Sequence, residues 1–278
     1  MELTDHHLSP SEPVPAESVR AERSPDRPAE ALPVPPRPLS LTVTRHGEST
    51  ANAAFAAAEA AGALDTGITC RDADLSLTTL GRDQATALGR WLASRADGPL
   101  PHSVWVSPYL RAQETAELVL TEVDRAGLPL PVVRTDERLR DRELGILEMV
   151  TKAAIELHHP GEAARRRKLG ELRWRPPGGE SLADVALRLR SLLRDLYETE
   201  ASRRVLLVAH DAVVLMLRHI LDDLDEEGYL ALEREGAVGN ASITRWSRTS
   251  SGQLKLDCYN STAHLGRALD PAFGQVPD

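Results

Sequence analysis

Short β-rich runs alternate with stretches of helical periodicity along this chain, a pattern that restricts it to a layered α/β architecture around a mainly parallel sheet. Candidate strands are residues 40–44, 103–107, 131–134, 204–209, 241–246 and 254–259. Helical periodicity is clear at 78–95, where Leu80, Ala87, Leu88, Trp91 and Leu92 share one face. The Leu75-Ser76-Leu77-Thr78 segment ahead of it supplies a hydroxyl that can accept from an otherwise unpaired helix-start amide. Residues 111–125 read as a second helix. A third begins at Ser181, where Asp184 three residues on makes a capping-box-like pair, just after the turn forced by Pro176-Pro177-Gly178-Gly179.

Chemistry-bearing residues follow the strands. The run Leu39-Ser40-Leu41-Thr42-Val43-Thr44 ends in Arg45-His46-Gly47-Glu48, and Val205-Leu206-Leu207-Val208-Ala209 ends in His210. Open parallel sheets bind ligands at the carboxyl ends of their strands, where loops meet helix N-termini. Two such ends can set two imidazoles side by side, with Arg45 beside them to neutralise a bound anion. That is the outline of a phosphate-handling site with histidine as nucleophile.

Composition narrows the alternatives. At 278 residues and 41% hydrophobic content the chain can bury a substantial core, read as one large domain. A formal net charge of −9 argues against a nucleic-acid partner, which calls for a basic face. Cys70 and Cys258 are far apart and lack metal-type spacing, which points away from a disulfide framework or zinc site and toward a reduced, cytoplasmic setting. No apolar stretch reaches the roughly 18 residues that a membrane span requires, so no membrane partner is expected. Nine of the 19 prolines precede Ser40, so residues 1–38 are expected to be a disordered leader, either dispensable or a PxxP-like partner-binding segment. Residues 265–278 read as a flexible tail.

The blocks RHGESTAN, SPYLRAQETA, RLRDRELG, PPGGES and LLVAHD occur in one order between about Leu39 and Tyr259. Together they resemble the histidine phosphatase superfamily, the group that also contains cofactor-dependent phosphoglycerate mutases. The resemblance implies a phosphoglycerate mutase-like three-layer α/β/α sandwich over residues 39–264. It also implies a phosphoric monoester hydrolase of the histidine acid phosphatase type, with no cofactor and no metal. The expected partner is a small phosphorylated substrate, and the expected assembly a monomer or homodimer.

In this reading His46 takes the phosphoryl group, Gly47 lets the backbone approach it, and His210 stabilises its charge in the transition state. Arg45 and Arg111 hold the non-bridging oxygens by forked hydrogen bonds, and Asn52 donates from its amide. The proton for the leaving group comes from Asp141, four residues before Gly145, where many relatives have glutamate; Glu143 is the competing choice. Glu48 and Ser49 orient the loop. Arg142 either touches substrate or forms a surface ion pair with Glu143 or Glu148.

Several features admit plainer readings. Asp211, where relatives commonly have glycine, either caps the following helix or adds unfavourable negative charge to the pocket. His158 and His159 are adjacent, so on a helix they point apart and make a poor metal pair. Arg165-Arg166-Arg167-Lys168 is either a solvated helix face or a recognition surface for an acidic substrate. It falls in residues 139–174, a charged segment expected to be an insertion covering the site. RLRDRELG has Glu143-Leu144 where phosphoglycerate mutases have histidine and tyrosine, which favours hydrolysis over phosphoryl transfer to a second position. A non-catalytic phospholigand-binding or scaffold protein on the same fold is the remaining alternative.

Overall fold

The computed structural model describes residues 37–94, 98–266 and 269. Most of the expected leader and tail therefore lies outside the described residues. Their inner boundaries are corrected: Arg37 O accepts from Ser202 N and an Arg248 amino group, and Leu265 is buried. Both positions belong to the same folded unit.

The elements run β1 (Ser40–Arg45), α1 (Thr50–Ala61), α2 (Thr79–Ser94), β2 (Ser103–Val106), α3 (Leu110–Arg125), β3 (Val132–Thr135), α4 (Lys152–His158), α5 (Pro160–Leu169), α6 (Leu182–Thr199), β4 (Arg204–Ala209), α7 (Asp211–Leu221), α8 (Glu226–Arg234), β5 (Ile243–Arg248) and β6 (Leu254–Ser261). The sheet order is β3-β2-β4-β1-β5-β6. Strands β1 to β4 pair in parallel, while β5 is antiparallel to both β1 and β6. All six expected strands form, with ends shifted by up to two residues.

Alternation along the central strands feeds two cores. Leu41, Val43, Val205 and Leu207 pack with Leu189, Leu192 and Leu196 of α6 and with Val213 and Leu217 of α7. On the opposite face, Leu206, Val208, Val104 and Val106 pack with Ala112 and Ala116 of α3. Both faces of β1 and β4 are thus covered, and the strands need apolar or β-branched side chains throughout. This is the three-layer sandwich.

Helix α6 starts as expected, with Ser181 and Asp184 forming a reciprocal capping box. Helices α1 and α8 are additional to the expected set. The alanine-rich α1 has little amphipathic signal, but Ser49 and Asn52 cap its start and Gly62, at φ 64°, ends it. In α2 the expected face is kept in part, with Leu88 buried and Trp91 and Leu92 packed against its cluster. The fully buried positions are Gly81, Gln84, Ala85, Leu88 and Gly89, because α2 lies so close to its neighbours that small residues must face inward.

The expected insertion is also redrawn. Leu139 is fully buried in the main core, so the separate segment starts later. From Leu144 to Trp174 the chain builds a small core of its own from Leu147, Ile155, Ala163 and Trp174.

Backbone presses closely on backbone where Gly47 and Glu48 meet Gly81. A Cβ on Gly81 would stand 2.0 Å from Glu48 O, and one on Gly47 would stand 2.3 Å from Gly81 O. Gly81→Ala is expected to lower unfolding free energy by about 2 kcal/mol, the scale of overpacking a tight site. Urea denaturation checks this, and an unchanged midpoint would show that the loop after His46 moves away from α2 freely.

Candidate active site

Parallel pairing sets the first two side chains. Arg45 of β1 is in register with Ala209 of β4, so the next residues, His46 and His210, emerge together. Their ring centroids are 5.1 Å apart, and both are buried. His46 N donates to Ala209 O at 2.9 Å, locking the exit of one strand to the end of the other.

The loop after His46 is held on every side. Gly47 N donates to Thr115 Oγ1 at 3.1 Å, Glu48 N to Gln84 Oε1 at 2.8 Å, and Thr78 N to Glu48 O at 2.9 Å. Asn240 Nδ2 donates to His46 O at 3.1 Å and to Asn52 Oδ1 at 3.2 Å. Glu48 and Ser49 thus have the loop-orienting positions expected of them. Asn52 spends its oxygen on Ser49 and Asn240 and lines the same cavity as His46.

His46 Nδ1 lies 2.7 Å from Gly47 O. That carbonyl can only accept, which puts the proton on Nδ1 and leaves Nε2 with a lone pair facing the cavity. Burial first, then the positive charges of Arg111, His210 and Arg45, hold the imidazole well below its usual pKa. It is therefore neutral and nucleophilic at ordinary pH. His210 Nε2 is 2.8 Å from the Ser107 hydroxyl, which also accepts from Tyr109 N. With that hydroxyl donating to Nε2, the His210 proton sits on Nδ1.

Arg111, 3% exposed, reaches the centre from the first turn of α3. Its Nε donates to His46 Nε2 at 3.1 Å and its terminal nitrogens to two carboxylates, Asp72 and Asp141. The fork expected to hold phosphate oxygens is thus engaged by protein anions. Arg45 donates to Val238 O through one amino group, while its buried Nε finds no partner among the described residues. His210 Nδ1 likewise lacks an aligned partner. Two buried donors therefore flank His46 with their hydrogen-bonding capacity unspent.

The two acid candidates are well separated in environment. Asp141 Oδ2 is 2.9 Å from Arg111 and 3.3 Å from His210 Nδ1, near enough for ion pairing with the latter but out of line for a hydrogen bond. Glu143 is half exposed and pairs with Arg140 at 3.4 Å. Burial pushes the Asp141 carboxyl up, but attraction to His210, Arg111 and His46 outweighs it and holds the group well below the usual carboxylate range.

Asp72 is the site residue that sequence reasoning missed, and no motif marked it. Its carboxyl is raised, chiefly by burial and also by the nearby Asp141, with Arg111 only partly compensating. Two carboxylates sharing one guanidinium cannot both be held equally well.

Arg142 is corrected. It pairs with neither Glu143 nor Glu148; its Nε donates to Glu180 O at 2.9 Å and an amino group to Trp174 O at 3.0 Å. It lines the cavity at the wall formed by the 144–174 segment, stacked over the Trp174 ring. The basic run divides between its two readings. Arg165 and Arg167 pair with Glu162 and Glu156 on the surface, whereas Arg166 pairs with Glu171 and lines the cavity. His210, not Asp211, is the N-cap of α7; Asp211 Oδ1 accepts from Ala212 N and faces the cavity. Among the described residues no three His, Cys, Asp or Glu side chains cluster as metal ligands, and no helix is long and apolar enough to cross a membrane.

Paired imidazoles and arginines at the carboxyl ends of a mainly parallel sheet define a class of proteins that handle phosphoryl groups. Residues 41–262 match the histidine phosphatase superfamily (branch 1), and the chain belongs to that family. It is similar to the glucosyl-3-phosphoglycerate phosphatase of Mycobacterium tuberculosis, 33% identical over 244 residues that cover 82% of this chain and 97% of the relative. It is also similar to 2,3-bisphosphoglycerate-dependent phosphoglycerate mutase 2 of Gloeobacter violaceus, 35% identical over 168 residues, 59% of this chain and 73% of that one. Among solved structures, a mycobacterial glucosyl-3-phosphoglycerate phosphatase in complex with inorganic phosphate superposes with a TM-score of 0.60 at 32% identity, over 81% of this chain and 98% of that one.

The depressed His46 pKa has a stability consequence. An unfolded imidazole takes up its proton near pH 6.5 while the folded one does not, so stability present above about pH 6.5 is lost as the pH falls toward the folded value. His46→Asn is expected to flatten part of that loss between about pH 6.5 and 5, leaving the share of His210, whose pKa burial also lowers. Denaturant midpoints across that range check it, and an unaltered slope would mean that His46 is protonated in the native state.

Proposed function

We propose that this protein is a phosphomonoesterase that works through a phosphohistidine at His46 and needs no metal. The observation that carries the reading is the set of groups around one neutral imidazole: the unspent donors Arg45 Nε and His210 Nδ1 beside His46, with Arg111 in contact with its Nε2. In the first step His46 Nε2 bonds to phosphorus as the ester P–O bond breaks, and Asp141 gives its proton to the leaving alkoxide. In the second, water attacks the phosphohistidine, its proton passes to Asp141, and the N–P bond breaks. Arg45, Arg111, Asn52 and His210 carry the charge of the transferring group.

Asp141 must be protonated to act first as acid, yet Arg111 holds it ionised. An arriving phosphoryl dianion engages Arg111 and sets a negative charge beside the carboxylate, and both effects raise its pKa. The substrate thereby readies its own acid. Arg142 is better suited to shaping the distal wall than to binding phosphate, since its Nε and one amino group donate to backbone carbonyls and the other amino group lies 4.0 Å from Glu171. Hydrolysis is favoured over the mutase reaction because the phosphatase relative is matched over nearly its whole length and because Glu143-Leu144 replaces a histidine and tyrosine. A soluble cytoplasmic enzyme acting on a small phosphorylated metabolite fits this reading, with glucosyl-3-phosphoglycerate the first substrate to test.

Release of phosphate from p-nitrophenyl phosphate is expected to persist with chelator and to vanish in a folded His46→Ala protein. Equal turnover in wild type and variant would remove His46 from the mechanism, and loss with chelator would reject the metal-free route. Asp141→Asn is expected to slow esters of poor leaving groups by about 100-fold or more while sparing activated aryl esters. Uniform slowing across a leaving-group series would instead transfer the role to Glu143 or make Asp141 structural. A panel including glucosyl-3-phosphoglycerate and 3-phosphoglycerate ranks the substrates.

A further inference from the structure

Arg111 is saturated. Its Nε donates to His46 Nε2 at 3.1 Å, one amino group to Asp72 O and Oδ1 at 2.7 and 3.0 Å, and the other to Asp72 Oδ2 and Asp141 Oδ2 at 3.1 and 2.9 Å. Five contacts account for the five N–H groups a guanidinium has. A phosphoryl group on His46 Nε2 consumes the lone pair that holds Arg111 Nε and so frees that one N–H, but it gains the two amino groups only if a carboxylate gives way.

The two carboxylates differ in how firmly they are anchored. Asp141 is held apart from Arg111, with Oδ1 accepting from Arg142 N at 2.8 Å and its carbonyl accepting from Arg188 at 3.1 Å. The Asp72 carboxylate has Arg111 as its hydrogen-bond partner on both oxygens and no other among the described residues. Its raised pKa agrees with the looser hold, since burial and Asp141 both disfavour its charge. Asp72 is also in the cavity wall, on a short turn next to the exposed Arg71, whereas Asp141 lies two residues after the fully buried Leu139.

We infer that Asp72 is an internal stand-in for the phosphoryl group, a positioning residue that occupies the Arg111 fork and is displaced when the anion binds. The inference rests on the phosphatase reading of the same site. Every bound anion must outcompete this carboxylate, so a ligand that uses Arg111 alone gains little, while one that also engages Arg45 Nε and His210 Nδ1 is retained. Free phosphate, the product, is held less tightly for the same reason, and its release is assisted.

The displacement is not confined to one side chain. Asp72 N donates to Glu148 Oε1 at 3.1 Å, Thr66 Oγ1 to Met149 O at 3.3 Å, and Thr151 Oγ1 to Leu64 O at 3.0 Å, with a β-bridge between Asp65 and Val150. The loop bearing Asp72 is tied to the start of the 144–174 wall. Moving the carboxylate therefore strains or shifts residues that line the substrate's side of the cavity.

The test is calorimetric titration of inorganic phosphate, at fixed ionic strength, into the wild type, Asp72→Asn, Asp72→Ala and Asp74→Asn proteins. Asp74, an exposed neighbour paired with Arg71, removes the same charge without touching Arg111. Both Asp72 variants are expected to bind phosphate about tenfold tighter, with a matching fall in the product-inhibition constant, while Asp74→Asn stays near the wild type. If Asp72 instead orients Arg111 for the anion, both variants bind phosphate more weakly, and the inference is overturned. Unchanged binding, or an equal gain in Asp74→Asn, overturns it too; with His46-dependent hydrolysis intact, the phosphatase reading survives. Failure of every protein to bind phosphate overturns both.

Discussion

The parallel pairing of β1 with β4 is the constraint on which the site depends. Register fixes Arg45 opposite Ala209, and a strand of one direction beside another of the same direction must deliver its next residue to the same edge. His46 and His210 are neighbours for that reason alone. A slip of one residue would turn Leu41, Val43, Val205 and Leu207 out of their core, so burial of those side chains also holds the two imidazoles in place.

Around that edge the protein has built rigidity at the backbone and tension among the charges. Gly47 and Gly81 let the loop after His46 press against the start of α2, and amide hydrogen bonds to Gln84 of the same helix and Thr115 of α3 close it further. Little of the nucleophile's position is left to side-chain choice. The charges are less settled. One guanidinium serves a neutral histidine and two carboxylates, and the two carboxylates are driven in opposite directions by the same neighbourhood. Such an arrangement responds strongly to an added dianion, because each existing contact is a compromise among competitors.

The 144–174 segment follows a different logic. Its small core of Leu147, Ile155, Ala163 and Trp174 is separate from the main cores, and both Arg142 and Arg166 lie over the Trp174 ring. Glu171 completes that group by pairing with Arg166. The wall is thus stabilised largely from within, touches the main core through Leu172, and supplies side chains to the cavity. Substrate range can change there while the phosphoryl centre stays fixed.

The sequence by itself determined the strands, the capped start of α6, and the histidines and arginines that follow strand ends, since period, capping chemistry and local motif are properties of neighbouring residues. Resemblance to the family's RLRDRELG-like block put Asp141 ahead of Glu143, and the structure has Asp141 against Arg111 while Glu143 lies half exposed. Asp72, the buried glycines of α2, the true partners of Arg142 and the start of the wall at Leu144 were decided only by tertiary structure. Each depends on which distant surface lies opposite: Asp72 and Arg111 are 39 residues apart in the chain, and no local pattern records a meeting at that separation.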